Sequence, residues 1–65
     1  MSDADIISWL CQLAPSNTRR VTIVKDLLKH KNEDGMSEQD ITACHRSLGL
    51  IAEGQVPEAH GPVYI

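Results

Sequence analysis

The chain has 65 residues and a formal net charge of −3 at pH 7. A chain of this length forms one small domain that buries only about 60% of the surface its unfolded form exposes, which leaves few walls for a deep catalytic pocket. We therefore predict that the protein is not an enzyme. The charge is unevenly distributed, because residues 17–32 carry a net +4, whereas residues 1–16 carry −2 and residues 33–65 carry −5. Such a block is typical of a partner surface or of a solvated helix face.

The cysteines and the first residues bear on the compartment. The chain starts with aspartates rather than with lysine or arginine, and its first apolar run is too short for a membrane span. We expect a cytoplasmic, reduced setting without membrane contact, in which Cys11 and Cys44 are both small buried apolar groups. A Cys11–Cys44 disulfide stays open, because two cysteines define no framework.

The first predicted helix covers about residues 3–14, with Pro15 as its stop. At about 100° per residue, its apolar side chains form one continuous arc that is wider than a single core contact requires. The arc indicates either a central helix packed on both sides or a contact with another chain. A homodimer through helix 1 would be such a contact. The candidate interface residues are Ile7, Trp9 and Cys11.

A second helix is predicted over about residues 18–32. Its apolar residues recur at i, i+3 and i+7, as in Val21, Val24 and Leu28, and its lysines fall on the opposite face. This spacing is typical of an amphipathic helix that packs one face on a core. Gly35 suits the left-handed position beyond the end of a helix.

A third helix is predicted over about residues 38–48. Ile41, Cys44 and Leu48 form its expected buried line, and Gly49 is its expected stop. Beyond it, about residues 50–65 contain two short β-prone runs around a loop rich in glycine and proline, which indicates a loose hairpin. The predicted fold class is mainly α with a small β-hairpin, in a single domain.

Three helices followed by Leu48, Gly49, Leu50 and Ile51, with Tyr64 on a returning strand, form a pattern that resembles the winged-helix class of helix-turn-helix domains. The resemblance covers about residues 17–65. It implies a small transcriptional regulator that places helix 3 in the major groove of double-stranded DNA. It implies that base edges are read by Gln39, Thr42 and Arg46. It implies that phosphates are contacted by Arg19, Arg20, Lys25 and Lys29.

The acidic half of the chain favours a different function for the same fold. Glu38 and Asp40 stand at the start of the proposed reading helix, and the hairpin loop carries Glu58 but no lysine or arginine. Phosphate neutralisation supplies most nucleic-acid affinity, so these carboxylates oppose DNA binding. The alternative is an adaptor or inhibitor that meets a basic protein partner, because opposite charges steer association.

The histidines and cysteines predict neither a metal site nor a cofactor. His30, His45 and His60, together with the two cysteines, match no closed zinc pattern of ligand spacing. Adjacent Cys44 and His45 point about 100° apart on a helix. A thiol on a buried line is also inert rather than activated for catalysis.

Overall fold

The computed structural model describes residues 2–58 and contains four helices and no β-strand in that range. The helices are α1 (Asp3–Leu13), α2 (Asn17–Lys29), α3 (Lys31–Asp34) and α4 (Glu38–Ala52). Helix α4 packs against both α1 and α2. The core between them is formed by the buried side chains of Ile6, Leu10, Val24, Cys44, Leu50 and Val56. Within residues 2–58, none of these helices has the length and apolar content needed to cross a bilayer.

Helix α1 begins with a capping box, in which the side chains of Ser2 and Asp5 each accept a hydrogen bond from the other residue's backbone amide. The Asp5 amide donates to Ser2 Oγ at 3.2 Å, and the Ser2 amide donates to Asp5 Oδ2 at 3.4 Å. The helix ends at Leu13, and Ala14 is already extended because the following residue, Pro15, disfavours a helical conformation before it. These signals give bounds of Asp3–Leu13, against about 3–14 predicted.

The segment predicted as one helix over about residues 18–32 is divided in two at His30. Helix α2 starts one residue earlier than predicted, because Ser16 is the N-cap and its Oγ accepts from the Arg19 amide at 3.3 Å. The short α3 follows, and Gly35 ends it with a φ of +67°, the left-handed conformation that glycine adopts without steric cost.

The C-terminal part of α4 corrects the predicted fold class. Gly49 does not end the helix, which continues to Ala52, and the predicted hairpin from about residue 50 is wrong. The helix ends instead in a Schellman motif around Gly54, whose φ is +76°. In that motif the Gly54 amide donates to Ile51 O at 3.1 Å, and the Gln55 amide donates to Leu50 O at 2.9 Å.

The reason for the longer helix is the position of Leu50. Continuing the helical period past Gly49 places Leu50 on the same buried face as Cys44 and Ser47, and Leu50 is only 2% exposed. A strand beginning there would turn alternate apolar side chains to opposite faces. The segment 53–58 after α4 contains no strand. The second strand that was predicted, with Tyr64, lies outside the described residues.

Helix α4 also presents a slightly different face to the core from the one predicted. Cys44 is buried, but Ile41 and Leu48 are only half-buried, and the other buried residues are Ser47 and Leu50. The buried Ser47 hydroxyl donates to Ala43 O at 2.6 Å, so it leaves no unpaired polar atom in the core.

Candidate partner-binding surface

Arg20 lies in the interior, where it cannot reach a DNA phosphate. Its side chain is 1% exposed. Its Nε donates to Ala14 O at 2.8 Å, and its Nη1 donates to Asn17 Oδ1 at 2.6 Å and to Pro57 O at 2.8 Å. The predicted phosphate contact at Arg20 is therefore corrected. The sequence spacing already indicates this burial, because Arg20 stands four residues before the core residue Val24 on the same face of α2.

Arg20 and Asn17 together hold the segment after α4 against the start of α2. Asn17 Nδ2 donates to Val56 O at 2.9 Å, and the Asn17 amide donates to Glu58 Oε1 at 3.3 Å. A carboxylate at that point is favoured because the first turn of a helix carries unpaired amides and the positive end of the helix dipole. We call this set of contacting residues the Arg20 clamp: Arg20, Asn17 and 56–58.

Arg46 forms an ion pair with α1. Its Nε donates to Asp3 Oδ1 at 2.9 Å and its Nη2 donates to Asp3 Oδ2 at 2.6 Å, a bidentate pair between two half-exposed side chains. The hydrogen bond from Arg46 holds the pKa of Asp3 below its ordinary value, and the same bond raises the pKa of Arg46. The guanidinium group that Arg46 would offer a base edge is therefore already paired with a carboxylate within the fold.

The structure brings the three predicted base-reading residues to one groove, between α1 and α4. Gln39 and Thr42 are exposed and line this groove of about 540 Å³ together with Arg46. The same groove is lined by Asp3 and Glu38, so its carboxylates outnumber its single guanidinium. That balance is unfavourable for approaching a phosphate backbone.

The exposed cations of α2 lie elsewhere. Arg19, Lys25 and Lys29 are exposed, and none forms an ion pair with another residue in the range 2–58. Lys25 and Lys29 line a shallow depression on α2 itself, whereas Arg46 lines the groove between α1 and α4. The predicted phosphate contacts and base contacts thus do not share one groove.

The candidate interface residues of α1 are divided between two sides of the helix. Ile7 and Trp9 are half-buried and pack against the core, whereas Cys11 is exposed. At about 100° per residue, Trp9 and Cys11 point roughly 160° apart, so they do not form one patch. The expectation that both thiols are buried is wrong for Cys11. Cys44 is buried, and the two cysteines are not bonded to each other.

Trp9 instead lines an apolar cleft whose floor and walls come from all four helices and from the segment between α3 and α4. The cleft has a volume of about 280 Å³ and is called the Trp9 cleft. Its lining residues are Trp9, Leu27, Asp34, Met36, Asp40, Ala43 and Cys44. Burial raises the pKa of the Cys44 thiol, and the negative charge of Asp40 raises it further. The negative charge of Asp40 therefore acts on the part of the cleft that Cys44 lines.

Four carboxylates lie along the chain where α3 is joined to α4, and this segment is called the acidic corner; two of them, Asp34 and Asp40, line the Trp9 cleft. The acidic corner consists of Glu33, Asp34, Glu38 and Asp40. All four residues are exposed, and none of them forms an ion pair within the part of the chain that the structure describes. The sequence already shows these two acidic pairs on either side of Met36. It does not show that Trp9 of α1 lines the same cleft as Asp34 and Asp40.

No protein-family model, curated protein or solved structure matches this chain. Among residues 2–58, no group of three or more histidine, cysteine, aspartate or glutamate side chains is arranged to hold a metal ion.

Proposed function

We propose that this chain is a cytoplasmic protein-interaction module, an adaptor or inhibitor that binds a basic partner through the acidic corner. The observation that carries the proposal is that two carboxylates of the acidic corner, Asp34 and Asp40, line the Trp9 cleft. Apolar contact supplies affinity in such an arrangement, and opposite charge selects the partner and accelerates the encounter. Two of the cations expected on a DNA-facing surface also have other partners, since Arg20 is buried and Arg46 is bound to Asp3.

The acidic corner can be tested by reversing its charge. Glu33→Lys/Glu38→Lys changes two exposed side chains of the corner that lie outside the Trp9 cleft. Asp26→Lys/Glu53→Lys makes the same change in net charge at exposed positions away from the corner. Each form is used to capture partners in the native host, and each captured protein is then purified and titrated directly.

We expect a basic partner that binds the wild type and the control variant and binds the corner variant about tenfold more weakly, because several close charge contacts are lost. Its affinity also falls as salt is raised, since exposed charges are screened. Equal binding by the corner variant and the control variant would remove the acidic corner from the function.

Double-stranded DNA is the second candidate partner, and the exposed Arg19, Lys25 and Lys29 favour it. They would contact phosphates from one side of α2, with no strand among residues 2–58 to serve as a wing. A titration of mixed-sequence duplex DNA at low salt, with the wild type and with Arg19→Gln/Lys25→Gln/Lys29→Gln, separates the two candidates. Binding that the triple variant loses would favour DNA over a basic protein, because removing phosphate contacts weakens binding to all sequences.

A further inference from the structure

The Trp9 cleft is large enough to hold one long side chain. Its volume of about 280 Å³ lies just below the range of about 300–1,000 Å³ that is typical of small-molecule sites. A large cofactor would project from it, whereas a single long side chain can lie along its lining. The cleft therefore fits a residue that a partner protein inserts.

The lining of the cleft combines two kinds of surface. Trp9, Leu27 and Met36 supply aromatic and aliphatic walls, and Asp34 and Asp40 add two carboxylates. Both aspartates are exposed and have no ion-pair partner among residues 2–58. An aromatic ring attracts a cation over its face, and a long basic side chain buries its aliphatic stem on apolar surface while its charged end stays at the rim.

We infer that the Trp9 cleft receives an arginine side chain from a basic segment of a partner protein. The aliphatic stem packs on Leu27 and Met36, and the guanidinium group meets Trp9 and the carboxylates of Asp34 and Asp40. Arginine fits better than lysine because its guanidinium is planar, stacks on aromatic rings and is more weakly hydrated than an ammonium group. This inference rests on the proposed function and names the chemistry of its contact.

The cleft contains its own reporter, because Trp9 is the only tryptophan in the chain. The probe is a short capped peptide with one central arginine between apolar residues, titrated at low salt while Trp9 fluorescence is followed. The matched control peptide contains citrulline, which has nearly the shape of arginine but no charge. We expect saturable binding of the arginine peptide and about tenfold weaker binding of the citrulline peptide.

A pair of double variants assigns the binding to the cleft. Asp34→Asn/Asp40→Asn removes both carboxylates of the cleft, and Glu33→Gln/Glu38→Gln removes two neighbouring charges outside it. Circular dichroism verifies that both variants remain helical. We expect the first variant to bind the arginine peptide about tenfold more weakly than the wild type. The second variant should bind it nearly as well as the wild type.

Three results would overturn the inference. The first is equal binding of the arginine and citrulline peptides, or equal binding by the two double variants. The second is no change in Trp9 fluorescence with either peptide. The third is a protein that dimerises in sedimentation experiments with a concentration-dependent change in Trp9 fluorescence, which would make a second copy the occupant. The charge-reversal capture tests the acidic corner without using the cleft. The proposed function therefore survives either of the first two results, provided that binding of a basic partner still depends on Glu33 and Glu38.

Discussion

At the scale of single residues, Arg20 shows how a charged side chain serves as part of a core. It is 1% exposed and donates hydrogen bonds to two backbone carbonyls and to the side chain of Asn17. Burying a charge is costly unless its hydrogen-bonding groups find partners. The carbonyl groups of Ala14 and Pro57 supply them from two segments that are distant along the chain, so Arg20 connects the α1–α2 link to the segment after α4.

We expect Arg20→Ala to lower the free energy of unfolding by about 3 kcal/mol, because it removes charge-assisted hydrogen bonds and leaves the buried carbonyl of Ala14 without its donor. Arg20→Lys should lose less, since one ammonium group still reaches some of these acceptors. Urea denaturation followed by circular dichroism measures both variants. Arg19→Ala is the matched control, because the Arg19 side chain is exposed. This substitution should change the stability little. An equally small effect of Arg20→Ala would contradict the clamp.

The pair of Asp3 and Arg46 predicts a pH dependence at the same scale. Because Arg46 lowers the pKa of Asp3 in the folded protein, the stabilisation from this pair is complete above the ordinary carboxyl pKa of 3.8. It is lost as the pH falls through the lower, folded value. We expect the Asp3 carboxyl, followed by carbon NMR, to titrate at lower pH in the wild type than in Arg46→Gln. Identical titration midpoints in the two proteins would show that the pair does not persist in solution.

At the scale of elements, α4 shows where a local signal and the packing of the whole chain disagree. A glycine after an apolar residue is a common helix stop, and Gly49 and Gly54 both fit that description. Gly54 has a φ of +76° and Gly49 lies within the helix. The choice depends on Leu50, whose burial against α1 and α2 requires the helix to pass Gly49.

We therefore expect alanine substitutions at these two glycines to change the stability of the protein in opposite directions. Gly49→Ala should stabilise the protein by about 0.5–1 kcal/mol, because alanine favours a helix interior and its Cβ would meet nothing within 4 Å. Gly54→Ala should destabilise it by about 1 kcal/mol, since a side chain disfavours the left-handed conformation. Thermal denaturation of both variants gives the signs. A loss of stability in Gly49→Ala would restore Gly49 as the helix stop and reopen the hairpin.

Helix starts were more predictable from the sequence than tertiary partners. Ser2 and Ser37 cap α1 and α4, because capping depends on side chains within three residues of one another. The same local reasoning placed Lys25 and Lys29 on the exposed face of α2. It cannot place Arg20, because the Pro57 carbonyl that accepts from this side chain comes near it only after the chain folds. The Trp9 cleft was missed for the same reason, since its walls come from segments that are far apart in sequence.

At the scale of the whole molecule, the two cysteines report on different things. The reactivity of Cys11 reports on exposure in the folded protein, and that of Cys44 reports on opening of the core. Cys11 is exposed, whereas Cys44 is 3% exposed and its thiol pKa is raised by burial. A thiolate is the reactive form, so Cys44 is protected both by burial and by its pKa. Its reaction requires opening of the core that α4 forms with α1 and α2.

We expect a thiol reagent at neutral pH to label Cys11 rapidly in the folded protein and Cys44 only as fast as the core opens. Mass spectrometry of the Cys11→Ser and Cys44→Ser variants separates the two rates. Adding urea should accelerate labelling of Cys44 far more than labelling of Cys11, because only Cys44 depends on unfolding. Similar rates in the absence of urea would mean that Cys44 is accessible in the native state.

The Arg20 clamp and the Trp9 cleft lie at opposite ends of α2, since Asn17 and Arg20 belong to its first turns and Leu27 to its last. Asn17, which contacts Glu58, and Leu27 are ten residues apart in α2, so about 15 Å of the helix axis separates the two places. A surface tether or a fluorescent label attached at Glu58 would thus leave the mouth of the cleft unobstructed. The protein is suited to immobilisation through that end, with the opposite end presented to a dissolved binding partner.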